Sequence, residues 1–596
     1  MIFLQTIKTK PWLQFWSLLA LVTSLIWLPA FFIEFPTIGI GHDSQIFAAA
    51  INAALREGNT FTQMMPKILA AREDIYSYPY FGILYPFYWT VGLGHSFDYA
   101  TNLKLDFASV VFHMVLANIT FALLLKRMGC WPSVAVLFGA FYAYSLHLKM
   151  WSSWIWALSG YAWIPLCLLG LWEIICMRNR RLGFVCLGFG FGMIALGTAL
   201  PLVYAVILIA TFFVFCVLKT RPNWHELTRI SALSFAAGIV GLLLGASHLL
   251  PTLDQSELYV RWYSGGASVG SFKPPYEGTL DVILNFSWEG LGQFILPTQW
   301  FGVGHPYIGA AVLFFFIYFC VKHYRLNCYY PLIFVAVYFL FDAFGDATFV
   351  HRLTYLIPFL SSVRYPLANV YITTTVILIL SAMGVTQLLK TKDQLSVRCW
   401  FIGLSIAVIF ASGLMLSKHS TLMEGYSQLP VWALYLTLFS ALLLLIFHRT
   451  KFSKLVLLMV FVSYLPQNSM LEHPKIPDTE YLYMRCQDFS DLHDDLRSKR
   501  TTLIGSVRLA IEPQVNVKSL PNNCLSELVF SNMHIQSLAM LAGWDVMQIY
   551  QSPRLYEEFK LFNKLSRSDV FKNHQLLLNS GTVSYTHLTL PTTPYV

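Results

Sequence analysis

Uncharged apolar runs about as long as a bilayer is thick recur along most of this chain, and they restrict its fold more than any other feature. In hydrocarbon every backbone N–H and C=O must find its partner inside the protein, so only α-helices and closed β-barrels cross. The runs lack the in–out alternation of barrel strands, and the sequence therefore predicts an all-α polytopic membrane protein. Thirteen spans are expected, at 12–33, 106–126, 131–148, 155–177, 182–199, 201–219, 229–251, 306–323, 328–345, 368–390, 399–416, 430–448 and 452–466. The stretch 182–219 is divided because one straight helix of that length would run about 57 Å, against roughly 30 Å of hydrocarbon. A hairpin turning near Gly197 and Pro201 fits.

Charge placement orients these spans. With the N-terminus in the cytoplasm, 18 basic residues fall on inward segments, among them Lys126, Arg127, Arg180, Arg181, Lys219, Arg221, Lys322, Arg325 and Lys390. The short outward connectors hold four: Lys149, Arg352, Arg364 and Lys418. That bias is the positive-inside pattern, and fusing 182–219 into one span would invert it for everything downstream. The N-terminus is thus expected in the cytoplasm and the C-terminal region outside. Only 12% of its residues are charged, against about 25% in soluble domains, which excludes a cytosolic globular enzyme. The formal charge of +9 is dispersed through the inner loops and implies membrane lipids as neighbours, with no nucleic-acid partner.

Residues 1–466 form the expected transmembrane domain, with outward loops at 34–105, 253–305 and 346–367. Residues 1–33 read as an uncleaved anchor, since the apolar run is long and no small-x-small site follows Phe32. Residues 467–582 are mixed and polar, with helix-like Asp488–Arg500 before strand-like Thr501–Ala510, and predict a small extracytoplasmic α/β domain that continues past this chain. Residues 583–596 carry no Asp, Glu, Lys or Arg and resemble translated adapter read-through, so they are set aside. Eight of the ten cysteines sit in spans or near the inner face. Cys486 and Cys524 lie outside, where a disulfide and two free thiols are equally open.

Chemistry is expected on the outer side, where 15 of the 18 acidic residues before 467 fall. Asp43, in Gly39-Ile-Gly-His-Asp43 just past the first span, suits a general base at the lipid–water boundary, with His42 beside it. Asp43 equally suits the N-cap of a helix over Ser44–Glu57. Tyr85 belongs to an aromatic–proline stretch that fits either sugar stacking or the aromatic belt of the membrane interface. His248 lies in the outer end of a span, where an ionisable group marks a functional candidate or a hydrogen-bonded core histidine. Arg261 sits four residues after Glu257, the spacing of a helical ion pair. Arg364 stands at headgroup depth before a span, placed to grip a phosphate or to snorkel. There is no P-loop, HExxH, GxSxG or dinucleotide fingerprint, and no metal-type cluster. A divalent cation requirement stays open.

These residues resemble the YfhO-type family of bacterial membrane proteins, within the GT-C glycosyltransferase class. The resemblance is carried by the acidic segment around Asp43, by Gly245–Ser256 (GASHLLPTLDQS), Tyr307-Ile-Gly-Ala, Phe359–Pro366 (FLSSVRYP) and Gly543–Phe559 (GWDVMQIYQSPRLYEEF), in that order. It implies a GT-C-like fold and an inverting transferase that takes a sugar from a polyprenyl-phosphate donor to a cell-envelope glycan or lipid acceptor. Asp43 then matches the base, and Arg364 the arginine before a span. Tyr78-Pro-Tyr stands where a glycine-rich proline segment is expected, which departs from the pattern at the acceptor side. Two other readings fit the same layout: a lipid or polysaccharide flippase, and a non-catalytic envelope assembly factor presenting 467–582.

Overall fold

The computed structural model describes residues 11–32, 85–86, 99–152, 155–177, 179–197, 199–254, 259–260, 276, 291, 294, 306–323, 325–358, 360–362, 366–391 and 554–555. His42, Asp43, Arg261 and Arg364 lie outside this set, as do the expected spans at 399–416, 430–448 and 452–466 and nearly all of 467–596.

Twelve α-helices are described: α1 (Pro11–Phe32), α2 (Tyr99–Arg127), α3 (Pro132–Ala143), α4 (Leu146–Ser152), α5 (Ile155–Ile175), α6 (Arg180–Gly197), α7 (Ala199–Thr220), α8 (Trp224–Asp254), α9 (Ala310–His323), α10 (Tyr330–Asp342), α11 (Val350–Leu356) and α12 (Val370–Thr391). Six of the described helices are long and apolar enough to cross a membrane, and four shorter apolar ones meet other expected spans. The expected hairpin within 182–219 is two separate helices, α6 and α7. A two-residue antiparallel ladder pairs Tyr259 with Leu555 and Val260 with Arg554.

Local chemistry sets the breaks. At the end of α2, Gly129 turns left-handed (φ 95°). The Gly129 N–H then reaches the Lys126 carbonyl and the Cys130 N–H the Leu125 carbonyl. This double bond pattern satisfies the last carbonyls of α2, and Pro132 starts α3 at a position that needs no N–H. The expected span 131–148 is broken in two. Ser145 stops it by capping α4, its hydroxyl accepting the Leu148 N–H at 3.3 Å.

The core runs along α5 and α12, whose spanning windows are 94% and 89% buried. The window of α8 is only 22% buried, with Phe235, Leu243 and Leu250 on its exposed side, as expected of a helix facing lipid. Hydroxyls tie α12 to its neighbours: Thr373 donates to the Ala336 carbonyl of α10 and Ser381 to the Val312 carbonyl of α9, both at 2.8 Å. The α5–α6 contact is set by glycine. A Cβ on Gly170 would stand 2.6 Å from the Leu187 backbone nitrogen and 2.8 Å from the Gly183 carbonyl oxygen.

Basic residues gather at one end of the bundle. Lys126 and Arg127 lie over the Trp12 ring, Arg127 pairs with buried Glu173 at 2.9 Å, and Arg180 pairs with Glu226 at 2.6 Å. Lys219 stands over Trp172, Phe215 and Tyr329. This basic end collects the starts of α1, α6, α8 and α10 and the ends of α2, α5 and α7. The opposite, far end is where the polar side chains described next converge.

The glycine contact gives a stability prediction. Gly170→Val should lower stability by about 1–3 kcal/mol, because the atoms it meets are backbone and cannot step aside. Gly238→Ala, with nothing within 4 Å of its would-be Cβ, is the control. Equal melting temperatures for both variants in detergent would contradict the α5–α6 packing described.

Candidate functional site

Proline begins the construction of the far end. Pro165 lies inside α5 and has no N–H to offer the carbonyl four residues back, that of Tyr161. The Tyr142 hydroxyl, from the last turn of α3, donates to that carbonyl at 2.9 Å. Having given its proton there, Tyr142 is the acceptor in its 2.5 Å contact with the Tyr371 hydroxyl. Tyr371, in the first turn of α12, then packs at ring-centroid distances of 4.6 Å from Tyr161, 5.9 Å from Tyr204 and 5.1 Å from His147. The Trp151 indole N–H donates to His147 Nε2 at 3.1 Å, which puts the proton of a neutral His147 on Nδ1. Four tyrosines, a histidine and a tryptophan from α3, α4, α5, α7 and α12 thereby form one buried layer.

Next to Tyr371, Asn369 connects this layer to a carboxylate. Asp342, the last residue of α10, is fully buried. Its Oδ2 accepts the Asn369 side-chain amide, and its Oδ1 lies 3.1 Å from His351 Nδ1 on α11. A buried carboxylate needs such donors, and here both come from outside its own helix. With Nδ1–H directed at Asp342, the lone pair of a neutral His351 is on Nε2. Tyr276 stacks on the His351 ring at 5.7 Å and donates its hydroxyl to Asp346 Oδ1 at 3.0 Å. Arg352 grips the same oxygen through Nε and Nη2, at 3.1 and 2.8 Å. Those bonds, from Arg352 first and Tyr276 second, hold the Asp346 carboxyl below the usual aspartate range. Burial pushes the Lys149 ammonium, on α4, down to about 7.

A cleft enclosing about 310 Å³, solvent-open space included, lies between these elements and is lined by Tyr142, Ser145, His147, Tyr307, Tyr371 and Thr375. The enclosed space within it is about 10 Å³, room for about one water molecule. Its lining offers hydroxyls, an imidazole and aromatic faces. Among the described residues no group of three or more His, Cys, Asp or Glu side chains is placed to hold a metal ion.

Of the residues singled out from sequence, Tyr85 and His248 are described. Tyr85 is fully buried and ties the first outer loop to the bundle. Its hydroxyl lies 2.5 Å from His113 Nε2 and accepts the Trp163 indole N–H at 2.7 Å. His113 Nδ1 donates to the Ser109 carbonyl, so Nε2 is the acceptor for Tyr85. His248 is buried on α8, and Thr252 donates to its backbone carbonyl. Neither lines the cleft. Asp342, Asn369 and the tyrosine layer were not singled out from sequence. The available signal was an aspartate inside the apolar span 328–345, a location that is costly unless partnered.

No protein-family model and no curated protein matches this chain. Among solved structures, ArnT from Cupriavidus metallidurans bound to undecaprenyl phosphate is similar at 14% identity and TM-score 0.44, over 96% of this chain and 95% of that one. The apo state of the same protein gives 14% and 0.43, over 95% and 94%.

Two outcomes test the far-end geometry. Asp342→Ala removes the acceptor of two buried donors and should cost about 2 kcal/mol or more, read as a fall in Tm. A Tm matching wild type would contradict the clamp. Asp346 behaves differently because its carboxyl is held low: its contribution is present above the unfolded value near 4 and lost as pH falls through the folded one. The Tm gap between wild type and Asp346→Asn should therefore be open at neutral pH and close below about pH 4. A gap unchanged across that range would remove the Arg352–Asp346 pairing from the account.

Proposed function

We propose that this chain is a GT-C-type glycosyltransferase of the bacterial cytoplasmic membrane, acting on the face away from the cytoplasm. It transfers a sugar from a polyprenyl-phosphate-linked donor to a cell-envelope glycan or lipid. The observation that carries this reading is the far-end layer itself. Tyr142, Tyr161, Tyr204, Tyr371, His147 and the Asp342–His351 pair collect hydroxyls, imidazoles and a carboxylate at the end opposite the basic loops. By the positive-inside rule that end faces outward, where no nucleotide sugar is supplied and a lipid-linked donor is the natural substrate.

The chemistry assigned to the outer loops comes from the sequence. Asp43 takes the proton of the acceptor hydroxyl while that oxygen attacks the anomeric carbon. The bond from that carbon to the phosphate oxygen breaks, its electron pair staying on the phosphate and the configuration inverting. Arg364, with Arg261, holds the departing lipid phosphate by charge-assisted hydrogen bonds. His42, His248 and Tyr85 are assigned to substrate binding from the sequence, with Tyr85 held in the bundle by His113 and Trp163.

A flippase reading calls for ionisable groups along the middle of the spans. Among the described residues Glu173 is buried but sits at the basic end, held by Arg127.

The test uses the full chain, reconstituted and supplied with a panel of polyprenyl-phosphate sugars, with release of the lipid phosphate as readout. Asp43→Asn should reduce transfer by about 10²-fold or more while the melting temperature is kept. Transfer at the wild-type rate would take Asp43 out of the mechanism. Absence of lipid-phosphate release from every donor would overturn the transferase reading.

A further inference from the structure

Helix α11 is short and two-faced. Val350, His351 and Thr354 point inward and are buried, His351 on Asp342 and Thr354 on the Tyr338 hydroxyl at 2.9 Å. The opposite face carries Phe349 and Leu356, each 73% exposed, with Leu353 at 47% and Ile357 at 43%. Spacings of four and three put Phe349, Leu353 and Leu356 on a single helical stripe, and Ile357 follows at the extended C-cap. Contiguous exposed apolar side chains of this size mark a surface that meets a membrane or another protein.

Two observations identify the occupant as lipid. First, the stripe continues an exposed apolar row on α10, a helix that meets an expected span. Phe334, Val337 and Phe341 form an exposed apolar row along α10. Where that row ends, the Thr348 hydroxyl donates to the Phe341 carbonyl at 2.7 Å, so Phe349 starts beside the last turn of α10. Second, α11 lies in the connection between the end of α10 and the start of α12, both at the far end of the bundle, which holds it near the depth of the membrane boundary. Arg352 emerges from the same helix, is well exposed and is steadied by Asp346. Tyr276 and Tyr355 pack edge to face beside it, as tyrosines do at the headgroup level.

We propose that α11 is an interfacial helix lying on the outer leaflet. Phe349, Leu353, Leu356 and Ile357 sit among the upper acyl chains, and Arg352 stands at the level of the lipid phosphates. Amphipathic segments bind in this plane by burying an apolar face a few ångströms below the headgroups, with cationic side chains above. The Asp342–His351 and Tyr338–Thr354 bonds fix the inward face so that the apolar stripe keeps its direction. This assignment does not depend on sugar transfer.

The experiment places a small fluorescent amino acid at position 353 or 356, by amber suppression, in the full chain. The protein is reconstituted in vesicles of phosphatidylethanolamine and phosphatidylglycerol. Lipids bearing a nitroxide high on the acyl chain should quench the probe several-fold more than aqueous iodide does, and a probe at position 352 should show the reverse order. A probe at 349 serves if either leucine variant fails to fold. Stronger quenching by iodide at 353 and 356 would put the stripe in water and overturn the proposal. Protection from both quenchers would also overturn it, pointing instead to a second copy of the chain or another protein on this face.

Discussion

A backbone carbonyl without a donor costs several kcal/mol where no water can reach it, and much of the far end of this bundle follows from that one cost. Pro165 creates the vacancy at the Tyr161 carbonyl, and the Tyr142 hydroxyl fills it. Spending its proton in that way makes Tyr142 an acceptor, which draws the Tyr371 hydroxyl from the first turn of α12. Tyr371 in turn brings Tyr161, Tyr204 and His147 against its ring. A local backbone requirement in one helix thus aligns side chains from five.

Asp342 plays the corresponding part at the membrane boundary. Its carboxylate joins three segments: its own helix α10, the surface helix α11 through His351, and the approach to α12 through Asn369. Removal of a buried carboxylate from water is unfavourable on its own, and two donors from flanking segments offset that penalty. Moving His351 or Asn369 away from Asp342 would break one of these bonds. The tyrosine layer and the interfacial stripe therefore share a single anchor, with Tyr371 two residues beyond Asn369.

The fold was legible where one physical term dominates. Burial of long apolar runs fixed the ten helices that meet expected spans, and the length argument separated α6 from α7. The break at Ser145 was missed because the run 131–148 is apolar throughout, and a cap of one hydroxyl has little weight beside that hydrophobicity. The break matters, since it places His147 and Trp151 on a separate helix that closes over Tyr161 and Tyr371. Asp342 was hidden for a similar reason: within 328–345 it reads as an incidental charge near a span end, and its partners stand 9 and 27 residues away in sequence. Tyr85 was noticed as one aromatic among many. Only the packing shows that its hydroxyl bridges His113 of α2 and Trp163 of α5.

The two ends of the bundle solve opposite problems with the same residue types. At the basic end, cations rest on aromatic faces and Glu173 is held by Arg127, so charge is kept in place next to headgroups. At the far end the aromatics turn their hydroxyls inward to one another and to a carbonyl, while Arg352 is steadied by Asp346 at the surface. Charge is thereby held back from the far-end layer, whose polar atoms are mostly neutral donors and acceptors. The division between this layer and the charged surface falls at Asp342, where the last turn of a span gives way to a helix lying on the surface.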